Sequence, residues 1–152
     1  MRLGAKEWLG QLGISKKMAD KKKVIVIGGG FGGVFAAKSL EKLGRGLVDV
    51  ELINNNNYFV FQPLLPEVAS SNLNSSDAVV PLRQLLTRVQ VRQARVMGID
   101  FERKIVIVMQ GARMTPVELP YDELVIALGT GVDLASIPGM ADHSLTMKDL
   151  TD

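Results

Sequence analysis

Four consecutive β-branched residues, 24–27, run directly into Gly28, Gly29, Gly30, Phe31, Gly32 and Gly33, so that five glycines fill six positions at the end of an apolar segment. An apolar run of that length reads as a parallel strand covered on both faces. Downstream, Val34, Ala37, Leu40 and Leu43 recur at helical spacing while Lys38, Glu41 and Lys42 face away, which predicts a helix over 31–43. Gly44 stands where a left-handed C-terminal residue is favoured. A second strand is expected over about 47–53, and strand, helix and strand together make a βαβ unit with a right-handed crossover.

Gly28, Gly30 and Gly33 match G-x-G-x-x-G in the context that gives the motif meaning, after a strand and at the start of a helix. The first glycine permits the tight turn, the second lets a pyrophosphate approach the backbone, and the third lets helix and strand pack closely. Exposed N–H groups and the positive end of the helix dipole then face the anion. A phosphate-cradling P-loop is excluded, because no Gly-Lys-Ser/Thr follows. A tight turn without ligand is the alternative that the motif alone leaves open.

An acid is expected about 20 residues past the motif, at the end of the second strand, to accept the ribose hydroxyls. Asn54 stands there instead. Its amide keeps an acceptor oxygen and adds two donors, but forfeits the charge-assisted bond. The run of asparagines at 54–57 also suits a turn, and Glu51, three residues earlier and inside the strand, is a poor substitute.

The next stretch, NNNNYFVFQPLLPEVASSNLNSS, combines a polar tract, an aromatic run and Pro63 and Pro66, which predicts a long ordered loop. AVVPLRQLL reads as a short helix with Pro81 near its first turn. VQVRQARVMGID and KIVIVM read as two antiparallel strands joined at 101–103, with PVEL as a third, a β-meander appended to the βαβ core. YDELVIALGTG restores a buried strand at 124–127 that ends in a glycine turn, and the polar stretch from Ile137 brings no closing element. The fold class expected is therefore α/β, a Rossmann-like domain with a parallel sheet and an antiparallel meander.

Composition narrows the chemistry. The 152 residues are 47% apolar, enough for a core without crosslinks, and they include no cysteine and a single histidine, His143. Thiol nucleophiles, dithiol redox pairs and cysteine or histidine metal clusters are excluded, and no residue presents itself as a general acid, base or nucleophile. No apolar run approaches the about 18–20 residues of a membrane-crossing helix. The net charge of +2 conceals an asymmetry, since residues 1–23 hold seven Lys/Arg against two acids. In that tail, assigned to 1–21, Ala5, Trp8, Leu9 and Leu12 make one apolar stripe. A membrane-surface helix and a disordered leader both fit it, with Gly4, Gly10 and Gly13 weakening the helix. Arg83, Arg88, Arg92 and Arg95 alternate with apolar residues and Gln without an aromatic platform, and read as solvated faces rather than a nucleic-acid surface. Tyr58, Phe59 and Phe61 suit a cofactor site or core filling equally.

Residues 57–86, with NYFVFQPLL at their head, together with YDELVIALGTG, resemble the N-terminal part of the type II NADH dehydrogenases. These are flavoproteins of the larger disulfide-reductase-like group, and the resemblance extends over about 22–150. It implies FAD as cofactor, with Gly28, Gly30, Phe31, Gly32 and Gly33 around its pyrophosphate and Asn54 and Asn55 near the adenosine ribose. It also implies Val96 beside the adenine, Ala127 to Gly129 as a second glycine turn toward the flavin nucleotide, and Phe61, Gln62 and Pro63 toward the isoalloxazine. Hydride would pass from NADH to the flavin and two electrons onward to a membrane quinone. A cytoplasmic protein lying peripherally on the membrane is expected.

Relatives of this kind proceed into a second glycine-motif domain for NADH. The expectation is that 22–152 form an incomplete FAD-binding domain, a fragment or a split product, with the missing domain supplied by a second chain. Two alternatives stand beside it: another quinone- or ferredoxin-linked FAD/NAD(P) oxidoreductase, and a non-catalytic nucleotide-binding module. On this reading the isolated chain binds FAD weakly, if at all. Protein that purifies with stoichiometric yellow flavin counts against weak binding, and colourless protein that binds NADH but not FAD counts against the flavin assignment.

Overall fold

The computed structural model describes residues 21–111 and 114–150; the stripe of Ala5, Trp8, Leu9 and Leu12 lies outside the described residues. Strand β1 (Lys22–Ile27) lies at the centre of the core and is followed by helix α1 (Phe31–Leu43) and strand β2 (Val48–Asn54). β1 pairs in parallel with β2, from Lys22 opposite Val48 to Ile27 opposite Ile53. On its other side β1 pairs in parallel with β9 (Glu123–Ile126), while β5 (Gln90–Gln93) extends the sheet beyond β2, giving the order β5-β2-β1-β9.

The β1 side chains divide between two cores. Val24 and Val26 face α1 and pack with Val34, Ala37, Leu52 and Leu86, whereas Ile25 and Ile27 face away and pack with Ile53, Val106, Val108 and Leu119. All four residues are at most 3% exposed. Each such burial contributes on the order of 1.5–3 kcal/mol, which makes β1 the strand that both layers depend on. The second layer is an antiparallel meander of β6 (Arg95–Asp100), β7 (Ile105–Gln110) and β8 (Thr115–Pro120).

Several expectations need correction. The stretch VQVRQARVMGID is two strands in two sheets. β5 follows β2 only as far as Asn54 opposite Gln93; Ala94 N–H then donates to Asn54 C=O at 2.9 Å, and the chain crosses to the meander, where Arg95 lies opposite Met109. The expected long loop contains regular structure: β3 (Tyr58–Val60) pairs with β4 (Val79–Pro81), and α2 (Leu65–Ala69) sits between them with Leu65 buried. The helix expected over AVVPLRQLL is confined to α3 (Leu82–Leu85), because the residues before it are taken by β4. β9 is an edge strand among the described residues rather than a buried one, with Ile126 53% exposed. The polar stretch from Ile137 holds a short helix, α4 (Met140–His143).

Two positions on the α1 face also differ. Leu43 is 80% exposed, so the buried stripe ends at Leu40. Gly44 is not left-handed, with φ −87°; a Cβ there would lie 2.6 Å from Val48 Cγ2, so close packing of the helix end on β2 excludes a side chain. The left-handed residue is Gly46, with φ +81°.

Arg92 is no solvated face. Glu51, 3% exposed on β2, accepts from Arg92 Nε on β5 and pairs with Lys23 Nζ on β1 at 3.3 Å, so one carboxylate ties three adjacent strands. A buried ion pair broken on one side costs more than the intact pair contributes, because the partner charge is left unmatched. Glu51→Ala is expected to lower the unfolding free energy by about 2–3 kcal/mol in urea, less than a fully buried pair because Lys23 still reaches water. An unchanged urea midpoint would show that the triad contributes nothing.

Candidate functional site

The carboxyl ends of β1, β2 and β9 are drawn together by backbone bonds. Gly28 N–H donates to Ile53 C=O at 2.9 Å and Ala127 N–H to Ile27 C=O at 2.8 Å. Gly28 has φ +105°, and a Cβ there would lie 2.3 Å from Ala127 O. A Cβ on Gly33 would lie 1.8 Å from Gly28 O, and one on Gly29 2.7 Å from Asn54 Cγ. These three glycines are required by the protein's own packing.

Gly30 is different. Its backbone is extended, at φ −80° and ψ −169°, which any residue adopts, and nothing lies within 4 Å of the Cβ it lacks. It is the N-cap of α1, no side chain caps that helix end, and the first turn holds no acid. The first N–H groups of a helix point outward and carry the positive end of its dipole, so they face the open space in front of Gly30.

That space is a cavity of about 680 Å³. Gly28, Gly30, Phe31 and Gly32 form one wall, Asn54, Asn55 and Gln62 another, and Ala127 and Gly129 the wall beyond β1. Gly129 has φ +71° and open space at its Cβ position, so a second glycine turn faces the first. Gly33 lies buried beneath the loop. Val96 stands apart, in an adjoining cavity of about 130 Å³ that shares Gly28, Asn54 and Asn55. Another space, of about 710 Å³, opens at the amino ends of the strands, where Lys21 pairs with Asp49 and Lys23 with Glu51. None of the motif glycines lines it. Open α/β sheets take ligands at the carboxyl ends of strands where the strand order reverses, and here it reverses at β1.

Asn54 fastens the glycine loop. Its Oδ1 accepts Gly29 N–H at 2.9 Å and its Nδ2 donates to Asn56 C=O at 3.0 Å, so both ends of the amide hold backbone. The aromatic run is divided. Phe59 is buried in the core against α1, whereas Phe61, 41% exposed, meets Phe31 edge to face at 5.6 Å between ring centres; Phe31 also meets Phe59 at 4.9 Å.

Tyr58 and Thr130, from the NYFVFQPLL and YDELVIALGTG stretches, also line the cavity, and Lys148 and Asp149 join them with no motif to mark them. Asp149 accepts from Asn56 Nδ2 at 2.7 Å and Tyr58 OH at 3.1 Å, and Gln62 Nε2 donates to Lys148 C=O at 3.2 Å. Burial, then the hydrogen bond to Asp149 and its charge, hold the Tyr58 phenol above its ordinary pKa. A phenol raised on folding favours the fold while protonated, so this tie persists through neutral pH and is lost as pH climbs through the raised value.

Known proteins resemble the chain in sequence and in backbone fold. The chain is 33% identical over 141 residues to the demethylphylloquinone reductase of Synechocystis, covering 89% of this chain and 35% of that one. It is 33% identical to the type II NADH:quinone oxidoreductase of Mycobacterium tuberculosis, covering 87% and 28%. The solved structure of NDH2 from Plasmodium falciparum in complex with NADH superposes with a TM-score of 0.76 at 28% identity, covering 86% of this chain and 27% of that one. The chain thus spans about a quarter to a third of the length of these relatives. The model of the pyridine nucleotide-disulphide oxidoreductases matches residues 22–152, from the first residue of β1 through both glycine turns, and the chain belongs to that family.

Proposed function

We propose that residues 22–152 are the FAD-binding part of an NADH:quinone oxidoreductase. The observation that carries this reading is Gly30: neither backbone conformation nor internal packing requires glycine there, and the missing Cβ opens onto the cavity between the two glycine turns. A pyrophosphate that must approach the loop backbone supplies the requirement. Relatives named as NADH:quinone oxidoreductases support the assignment.

When bound, FAD would accept hydride from NADH and pass electrons to the quinone, chemistry that belongs to the cofactor. The residues of this chain bind and orient it. The Gly28, Gly30, Phe31 and Gly32 backbone and the α1 dipole take the pyrophosphate, with Gly33 holding the helix against the loop. Asn55 and the remaining capacity of the Asn54 amide lie toward the ribose, and Val96, in the adjoining small cavity, toward the adenine. Gln62 and the turn from Ala127 to Gly129 lie toward the flavin end. NADH and quinone are the substrates of the whole enzyme. Peripheral contact of the whole enzyme with the bilayer that holds the quinone belongs to the same proposal; no helix among the described residues is long and apolar enough to cross a membrane.

Flavin fluorescence quenching tests the reading directly. Gly30→Val, whose side chain would enter the cavity, is expected to weaken FAD binding at least about tenfold, roughly 1.4 kcal/mol or more, while the loss of a glycine N-cap lowers stability by no more than about 1 kcal/mol and leaves the protein folded. Equal FAD affinity in the variant would remove the pyrophosphate from this position. Asn54→Ala is expected to act on both properties, lowering stability by about 1–2 kcal/mol and weakening FAD, because Gly29 N–H and Asn56 C=O lose their partner. A variant as stable as the wild type in thermal unfolding would show that the amide fastens nothing.

A further inference from the structure

The cavity in front of the glycine loop is walled almost entirely by neutral groups. Among its described lining residues one cation and one carboxylate occur, Lys148 and Asp149, and both come from a segment some ninety residues downstream of the asparagine run. Three ties hold that segment across the cavity. Gln62 Nε2 donates to the Lys148 carbonyl, Asp149 takes hydrogen bonds from Asn56 and Tyr58, and Lys148 Nζ donates to Thr130 Oγ1 at 3.1 Å, next to Gly129. The ammonium group is therefore positioned beside the second glycine turn, on the cavity shared with the first.

We propose that Lys148 is a nucleotide-binding residue, the counter-charge for the dinucleotide's pyrophosphate, carried to the glycine loop by the 145–150 segment. The inference rests on the FAD reading above and adds to it a residue outside the glycine motif. A dianionic pyrophosphate in this cavity meets backbone N–H groups and a helix end, which supply partial charges only, and the end is exposed enough that one full positive charge matters. The neighbouring carboxylate of Asp149 accepts from the Asn56 amide and the Tyr58 phenol, and from Leu150 N–H at 2.8 Å. Asp149 is in this sense a positioning residue. It fixes the backbone from which Lys148 extends.

The experiment measures binding of FAD, and separately of ADP and adenosine, to the 152-residue chain as a function of salt concentration. Lys148→Met keeps the stem and leaves the Gln62 bond to the backbone carbonyl intact, so the unfolding midpoint is expected to hold. FAD and ADP affinity are expected to fall about tenfold with a flatter salt dependence, adenosine affinity to stay the same, and Lys148→Arg to restore both affinity and salt slope. A Lys148→Met protein that binds FAD with wild-type affinity and salt slope overturns the proposal and leaves the FAD reading standing. Equal losses for ADP and adenosine, or a loss with unchanged salt slope, also overturn it, because they mark a structural role. Folded wild-type protein that binds NADH but neither FAD nor ADP overturns the proposal and the FAD reading together.

Discussion

Of the described glycines, Gly33 has the least room for a side chain: a Cβ there would lie 1.8 Å from the Gly28 carbonyl oxygen. This contact seats the first turn of α1 against the end of β1, and everything in front of the loop depends on it. The uncapped N–H groups of the helix, the Gly30 opening and the Phe31 ring all take their positions from that seat. The valine face of β1 then holds the helix from below, while the isoleucine face holds the meander. A small shift of α1 along β1 would disturb the Val34 and Ala37 packing and would close the space in front of Gly30. Stability and binding geometry share one set of contacts.

Much of this was legible in the chain because it is encoded locally. The turn at Gly28 and the helix packing at Gly33 follow from the spacing of three glycines after an apolar run, and α1 has the bounds its periodicity predicts. What escaped depends on partners distant in sequence. In VQVRQARVMGID the alternation slips by one at Arg92 and Gln93, so that Val89 and Val91 are followed by Ala94 and Val96, but the slip alone reads as well as a bulge; that it is a change of sheet is dictated by where β2 ends, at Asn54. Tyr58 and Phe59 form a strand only because Val80 and Pro81 arrive beside them. Glu51 looked like a spare acid in a strand, and its use is set by Lys23 and Arg92 on the strands to either side. The Lys148 and Asp149 positions had no local signal at all.

Asn54 shows how a departure from an expected residue can carry information. A carboxylate at the end of β2 would accept Gly29 N–H as well as an amide does, and more strongly, since the bond would be charge-assisted. It could not donate to Asn56 C=O. The amide does both, and so joins the glycine loop to the asparagine turn that reaches Asp149 through Asn56 Nδ2. An acid in its place would set two acceptors against one another and would put a negative charge beside the loop that faces the phosphates.

The same substitution changes the electrostatic balance of the whole cavity. With an acid at position 54 the ribose end would be negative and would hold its hydroxyls by charge, at the expense of attraction for the neighbouring pyrophosphate. With asparagine there, the carboxylate among the described lining residues is Asp149, engaged by Tyr58 and Asn56 at the far side. On the FAD reading proposed above, the loop dipoles and the Lys148 ammonium would act on the phosphates with no carboxylate at the end of β2 beside them. Affinity in such a site shifts from the ribose toward the pyrophosphate. On the FAD reading proposed above, the missing charge at the ribose end and the cation on a distant segment would be two parts of one arrangement, linked through Asn56.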